Sequence, residues 1–353
     1  MRILHTSDIH LDSKMNSKLP AEKARERKRE LILNFKEMIE LAKRESCSAV
    51  IIAGDLFDSE AVTKGSKKFI LDLISSFPEI TFFYLPGNHE KKIISEMPTL
   101  PENLKIFGDK WTVFSFGGIC LMGRAETEPG MFENLNLPKA VTAIAVLHGE
   151  LRDKSDFGGI IGKKELSGSG ISYLALGHYH SYSSEKIGNT LAVYSGTPAG
   201  RGFDEAGDKG FVIIDTDGGI SHTFHSGFGR KIHIAELLIE PADETIDVKE
   251  KIERLTAEIP RSALVRISLS GKHSPEAKID VKFLENHFVN RFYYFEIKDE
   301  TGLYIKKEDY SHDKSLKGEF IRTVLSDEQL TEKEKEKIIR CGLLALLGEK
   351  FDD

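Results

Sequence analysis

Five short motifs, spread in order along the first half of the chain, carry residue types that hold divalent cations. They are Asp8-Ile9-His10, Gly54-Asp55-Leu56-Phe57-Asp58, Gly87-Asn88-His89-Glu90, His148-Gly149-Glu150 and Gly177-His178-Tyr179-His180. Together they offer two carboxylates (Asp8 and Asp55), an amide oxygen on Asn88, four candidate imidazole ligands and one spare histidine. Mixed oxygen and imidazole donors suit two hard or borderline divalent cations, and such pairs hydrolyse phosphate esters. Each motif alone is weak, since Asp-x-His is common and Gly-Asp or Gly-Asn usually marks a turn. The ordered array is strong, because coincidence would need five strand ends each to finish in the right residue type.

Spacing says how the chain must present them. Residues two apart share one side of an extended segment, so Asp8 with His10, and His178 with His180, are expected to point together. A carboxylate has two oxygens, so Asp55 can bridge ions about 3.5–4 Å apart. Gly54 and Gly87 precede their ligands where the chain must turn with little side-chain bulk.

The elements that position these residues read as short apolar strands. Arg2 to Thr6, Ala49 to Ala53, Ile80 to Leu85, Ala143 to Leu147 and Tyr173 to Leu176 each run directly into metal-type residues. Continuous apolar runs of this length are strands buried on both faces, and ligands beyond their carboxyl ends fit layered α/β architectures. Leu31, Phe35, Ile39 and Ala42 recur at helical spacing and predict an amphipathic helix over 20–46. Its Lys23, Arg25, Arg27, Lys28 and Arg29 read as a solvated face, with a phosphate-backbone contact as the alternative. A helix is expected over 66–76. Strands and turns dominate 111–122 and 186–225, giving two packed sheets flanked by helices with the site along one rim. From 231 onward the order is strand, helix, strand, helix, strand, and then two helices over 316–325 and 331–347. Thr331 and Glu334 have capping-box spacing at the start of the second.

Composition bounds the partners. The chain has 353 residues, 40% hydrophobic and 30% charged, enough for two or three domains. A net charge of −7 provides no global basic field, so any polyanion contact must be local, metal-borne or supplied by a partner. Cys47, Cys120 and Cys341 are distant and odd in number, which implies neither a disulfide framework nor a zinc ribbon. Met1 to Thr6 is too short for a signal-peptide apolar region, and no window approaches the roughly 18 apolar residues of a membrane span. A cytoplasmic protein is expected. His5, His222, His225, His233, His273, His287 and His312 lie outside the metal motifs and read as packing or surface residues.

In this order, the five motifs resemble the calcineurin-like metallophosphoesterase superfamily over roughly residues 1–225. That resemblance implies a four-layer α/β/β/α sandwich and a ligand division: Asp8, His10 and His180 on one ion, Asn88, His148 and His178 on the other, and Asp55 between them. It implies that a water activated between the ions attacks phosphorus, with His89 protonating the leaving oxygen or stabilising charge. It also implies manganese as the preferred ion. The opening Arg2-Ile3-Leu4-His5-Thr6-Ser7-Asp8-Ile9-His10-Leu11, with Tyr194-Ser195-Gly196-Thr197-Pro198 and Arg201-Gly202-Phe203-Asp204-Glu205, is similar to the SbcD family of DNA double-strand-break repair nucleases, in particular its YhaO-like members. Ser59-Glu60 stand where protein phosphatases carry Arg-Gly. Glu90 stands where the nucleases usually carry Asp, and the loop after Asp58 lacks their usual proline.

The resemblance divides the chain into a nuclease domain (1–230), a small α+β capping domain (231–315) and a C-terminal helical pair (316–353). It implies an exonuclease, with endonuclease activity as well, acting on DNA as the nuclease subunit of an SbcCD-like repair complex. The helical pair would dock an SbcC-type coiled-coil ATPase through Phe320, Ile321, Val324, Ile339, Leu343, Leu346 and Leu347, or else pack on the chain's own cap. ATP hydrolysis would fall to that partner, because this chain shows no Walker-type phosphate loop. Room remains for a homodimer, and no membrane is implied. Arg201 either clamps substrate phosphate or braces its own loop through Asp204 or Glu205. Two other functions stay open: a small-nucleotide phosphodiesterase or phosphatase, and a DNA-tethering scaffold whose cleavage is incidental.

Overall fold

A computed structural model describes the chain apart from residues 14, 16–18, 59–61, 88–89, 91–98, 134, 136, 138–140, 156, 275–276, 278 and 347–353. Two compact units emerge, Met1–Ile232 and His233–Asp353.

The first unit is built on two six-stranded sheets. One runs Ser221–Ser226, Gly210–Asp215, Arg2–Thr6, Cys47–Ala53, Thr81–Leu85, Leu104–Ile106 across its width. The other runs Ser183–Ile187, Thr190–Tyr194, Tyr173–Gly177, Ala143–His148, Ile119–Gly123, Thr112–Phe116. Neighbours are parallel from Arg2–Thr6 to Leu104–Ile106 in the first sheet, and from Thr190–Tyr194 to Ile119–Gly123 in the second.

Strand alternation explains why the apolar runs are continuous. In Cys47–Ala53, Val50 and Ile52 face the core under the helices, while Ala49, Ile51 and Ala53 face the second sheet. Similarly, Tyr173 and Ala175 turn toward the first sheet, and Leu174 and Leu176 turn outward into a third core. Every position on such a strand is therefore inside, and each fully buried large apolar side chain contributes about 1.5–3 kcal/mol.

Helix Ala21–Arg44 lays Leu31, Phe35, Met38, Ile39 and Ala42 on the first sheet, beside helix Lys64–Ser75, which begins with the Thr63 hydroxyl accepting from the Ser66 N–H. The outer layer of the second sheet is thin. Its described helix is Lys163–Ser167, with Met131 and Phe132 filling the same core. This is the α/β/β/α sandwich that the motifs imply.

One expectation about the long helix fails. Arg27 is fully buried, not part of a solvated face. It donates to the Gly200 carbonyl and pairs with Glu30, which Arg230 also holds. A long-range loop covers this turn of the helix, so the charge alternation alone could not reveal it.

In the second unit, strands Ile232–Ile239, Leu264–His273 and Tyr294–Asp299 lie side by side, the last two parallel and connected through helix Val281–Phe288. Helices Leu316–Ser326 and Glu332–Leu346 follow, the second opened by reciprocal hydrogen bonds between Thr331 and Glu334. Ile321, Val324, Ile339 and Leu343 pack with Leu303 and Tyr310 in a core of their own, and Phe320 lies against it. Much of the apolar face considered for docking is thus used inside the unit. Leu316 and Leu346 remain exposed, and Leu347 lies outside the described residues. No described helix is long and apolar enough to cross a membrane.

Candidate metal centre

Five strand ends bring the motifs to one rim. The backbone there is not the extended segment that the Asp-x-His spacing suggested: Asp8, His10 and Asp55 have φ of 52°, 51° and 50°, and His178 has 111°. These left-handed conformations cost side-chain-bearing residues energy, and they cluster where a fold holds functional groups in place. Hydrogen bonds between the two turns sustain them. The Asp8 and His10 N–H groups donate to the carbonyls of Gly54 and Asp55 at 3.1 and 3.0 Å.

Glycine is needed for room as well as for turning. A Cβ on Gly87 would stand 2.6 Å from Asp55 Oδ1. One on Gly177 would fall on the Ala53 carbonyl and stand 2.8 Å from His148 Nδ1.

Among the described residues, two groups present ligand atoms to a common point: Asp8 with His10 and His180, and Asp8 with Asp55 and His148. Asp8 is fully buried and accepts from the His178 N–H at 3.1 and 3.0 Å and from the Ser7 hydroxyl at 2.5 Å. Asp55 Oδ2 lies between two rings, 3.5 Å from His148 Nε2 and 4.0 Å from His10 Nε2. His178 is exposed, its ring edge-on to His148 at 5.6 Å, and it joins neither group. Asn88 and His89 lie outside the described residues.

Proton placement decides what these rings can bind. His148 Nδ1 faces the Ala53 carbonyl at 3.0 Å, so it must carry the proton, leaving a lone pair at Nε2. His180 Nδ1 faces Glu205 Oε1 at 2.7 Å, with the same consequence. His10 Nε2 and His180 Nε2 then meet at 3.2 Å, and carboxylate oxygens stand close by. Lone pairs and anionic oxygens converging on one space repel one another unless a cation lies among them. The donor set fits divalent metal, and the His148 and His180 rings are each oriented from behind by an acceptor, as metal-ligating histidines usually are.

The surrounding charges are shifted accordingly. The Glu205 hydrogen bond holds the His180 imidazole above its usual range. Burial pushes the Glu205 carboxyl up, but hydrogen bonds from His180 and Arg201 outweigh it and hold it well below the carboxylate range. Burial, then the Arg201 charge, hold His10 down. Glu90 is pushed up to about 7 by burial, despite accepting from the Gly87 and Phe57 N–H groups at 2.7 and 2.6 Å. It thereby ties the backbone at Phe57 to the backbone at Gly87.

Arg201 makes contacts of the loop-bracing kind, with both Glu205 and Asp58. Asp58 and Glu90 stood in the motifs without an assigned role, and Glu205 was considered only as an arginine partner. The recurrence of acidic residues shortly after ligand positions was the signal available for Asp58 and Glu90, whereas Glu205 lies 25 residues beyond His180 and carried no such signal. His5 and His222 pack as expected: His5 Nδ1 meets the Tyr173 hydroxyl at 3.1 Å and His222 Nε2 meets the Tyr182 hydroxyl at 2.9 Å.

Residues 1–182 match the family described as calcineurin-like phosphoesterase. The chain is 26% identical over 243 residues to "Uncharacterized metallophosphoesterase YhaO" of Bacillus subtilis, covering 64% of this chain and 60% of that protein. It is 24% identical over 234 residues to "DNA double-strand break repair protein Mre11" of Methanosarcina mazei, covering 62% of this chain and 36% of that protein. It is also 24% identical over 275 residues to the SbcD component of the nuclease SbcCD of Bacillus subtilis, covering 64% and 68% respectively. The match therefore spans less than two thirds of the length of the first two relatives.

Proposed function

We propose that this chain, which belongs to the calcineurin-like phosphoesterase family, is a manganese-dependent DNA phosphodiesterase, an exonuclease with endonuclease activity. The observation that carries the reading is the convergence of Asp8, His10, Asp55, His148 and His180 into two cation-binding groups that share Asp8. The names of the relatives, a double-strand-break repair protein and a nuclease component, favour DNA as the substrate.

In this reading Asp8, His10 and His180 would hold one ion and His148, with His178 and Asn88, would hold the other, Asp55 being the carboxylate available to both. When bound, two divalent ions supply Lewis acidity to the phosphodiester and lower the pKa of an attacking water. Manganese suits the mixture of carboxylate and imidazole. The chain's own part is to orient its rings through Ala53 and Glu205, and to present His89 where it can pass a proton to the leaving oxygen.

The test is hydrolysis of linear DNA with Mn(II), with a small nucleotide diester run alongside. His89→Ala is expected to slow DNA cleavage about 100- to 10,000-fold with metal still bound, the usual reach of a positioned general acid. Cleavage within a few-fold of wild type would remove His89 from the mechanism. Turnover of the small diester alone would move the substrate to free nucleotides.

The same reading makes the chain the cytoplasmic nuclease subunit of a complex with an SbcC-type coiled-coil ATPase. Docking on the terminal helices would use Leu316 and Leu346, which are 69% and 46% exposed. Leu316→Glu combined with Leu346→Glu is expected to weaken ATPase association at least about tenfold, as loss of apolar anchors does. Undiminished association in a binding titration would sink this docking mode.

A further inference from the structure

Behind the Asp8–His10–His180 group runs a line of charged contacts that ligand chemistry alone does not require. We propose that Arg201 is a positioning residue: it clasps Asp58 and Glu205, and through Glu205 fixes the imidazole of His180 for one cation. The inference rests on the two-metal reading and extends it to side chains outside the ligand set.

The contacts are direct. Arg201 Nη1 donates to Asp58 Oδ1 at 2.7 Å, while Nε and Nη2 donate to Glu205 Oε1 at 2.9 and 2.6 Å. The Arg201 backbone N–H donates to Glu205 Oε2 at 2.6 Å. On their far sides, Glu205 Oε1 stands 2.7 Å from His180 Nδ1, while Asp58 Oδ1 approaches His10 Nδ1 to 3.3 Å without the geometry of a hydrogen bond. One guanidinium therefore stands behind both rings whose Nε2 atoms face each other across 3.2 Å.

An imidazole offers a lone pair at Nε2 only while its proton is kept on Nδ1, and an acceptor at Nδ1 keeps it there. Two carboxylates placed behind neighbouring rings repel each other. A planar guanidinium with donors on separate edges neutralises both and sets their distance, which a lysine ammonium cannot do at two points. Phosphate clamping is a poor competitor, because three guanidinium nitrogens already donate to carboxylates and Glu205 is only 3% exposed. The loop carrying the clasp is itself anchored: buried Arg27 donates to the Gly200 carbonyl, and Lys209 Nζ donates to the His180 carbonyl at 2.7 Å.

The experiment is Mn(II) titration of metal-free protein, followed by calorimetry and by electron paramagnetic resonance. Arg201→Met is expected to weaken one Mn(II) by about 10- to 100-fold, the range typical for partners that orient metal ligands, while the other ion stays bound. The spectrum should pass from a spin-coupled pair to an isolated ion. Arg201→Lys should remain impaired. Because Arg201→Met leaves Glu205 buried without its arginine, the double variant Arg201→Met/Glu205→Gln guards against misfolding. Wild-type affinity for both ions in the double variant, or full rescue by lysine, would overturn the clasp and leave the two-metal site standing. A wild-type protein that binds no Mn(II) would overturn both.

Discussion

Asp8→Asn is expected to abolish Mn-dependent DNA cleavage, lowering kcat/KM about 1,000-fold or more, equivalent to about 4 kcal/mol of transition-state stabilisation. The reason is position as much as charge. Asp8 ligates the ion that His10 and His180 hold and also lies among the ligand atoms that converge from Asp55 and His148, so a neutral amide there weakens one ion directly and removes negative charge beside the other. Its oxygens also accept from the His178 N–H and the Ser7 hydroxyl, and the second oxygen becomes a donor in Asn. One substitution of equal volume thus removes a ligand charge and disturbs the turn that carries His178. The expectation fails if the variant, at saturating Mn(II), cleaves linear DNA within tenfold of the wild-type rate. Circular dichroism of the metal-free variant separates this outcome from simple unfolding.

The positions of Asp8, Asp55, His148 and His178 were legible because local chemistry and local periodicity agree there. A strand buried on both faces is a continuous apolar run, its end is marked by Gly or a polar residue, and ligands sit beyond carboxyl ends of parallel strands. The same logic located the two-sheet core and the stretch from Leu31 to Ala42 that faces it with helical spacing.

The backbone at those ligands was not legible. Alternation assumes an extended chain, whereas Asp8, His10 and Asp55 are left-handed, held so by hydrogen bonds between turns far apart in sequence. The clasp was hidden for a related reason. Asp58 and Arg201 are separated by 143 residues, and only tertiary structure puts their side chains 2.7 Å apart. Arg27, read as part of a solvated face, is covered by a loop more than 170 residues away. The terminal helices show the converse: an apolar face is equally visible whether it meets a partner or its own unit, and Ile321 and Ile339 meet their own.

His5 should make folding of the metal-free protein less favourable as pH falls through the mildly acidic range. It faces the second sheet from the strand that leads to Asp8, where burial pushes its imidazole down from 6.5 to about 3. The unfolded chain accepts a proton near 6.5 and the folded chain does not until about 3, so between these values the unfolded state binds more protons. Stability is then lost as pH falls, by up to about 1.36 kcal/mol per pH unit and roughly 4–5 kcal/mol over the whole window. His10 and His222 are held below their usual range and add in the same direction, while His180, held above its range, and Glu90, pushed up to about 7, oppose. Glu205, held low, surrenders its contribution only as pH falls below the ordinary glutamate value of 4.5. Comparing wild type with His5→Gln, which can keep a hydrogen bond to the Tyr173 hydroxyl without titrating, cancels those other groups. Urea unfolding in EDTA should show wild type losing about 2 kcal/mol more than the variant between pH 6.5 and 4.5. Parallel stability curves would mean that His5 is protonated, or solvated, inside the fold. A neutral His5 is also what the site above it needs: with no positive charge buried beneath Asp8, the carboxylate keeps its attraction for a cation at the rim.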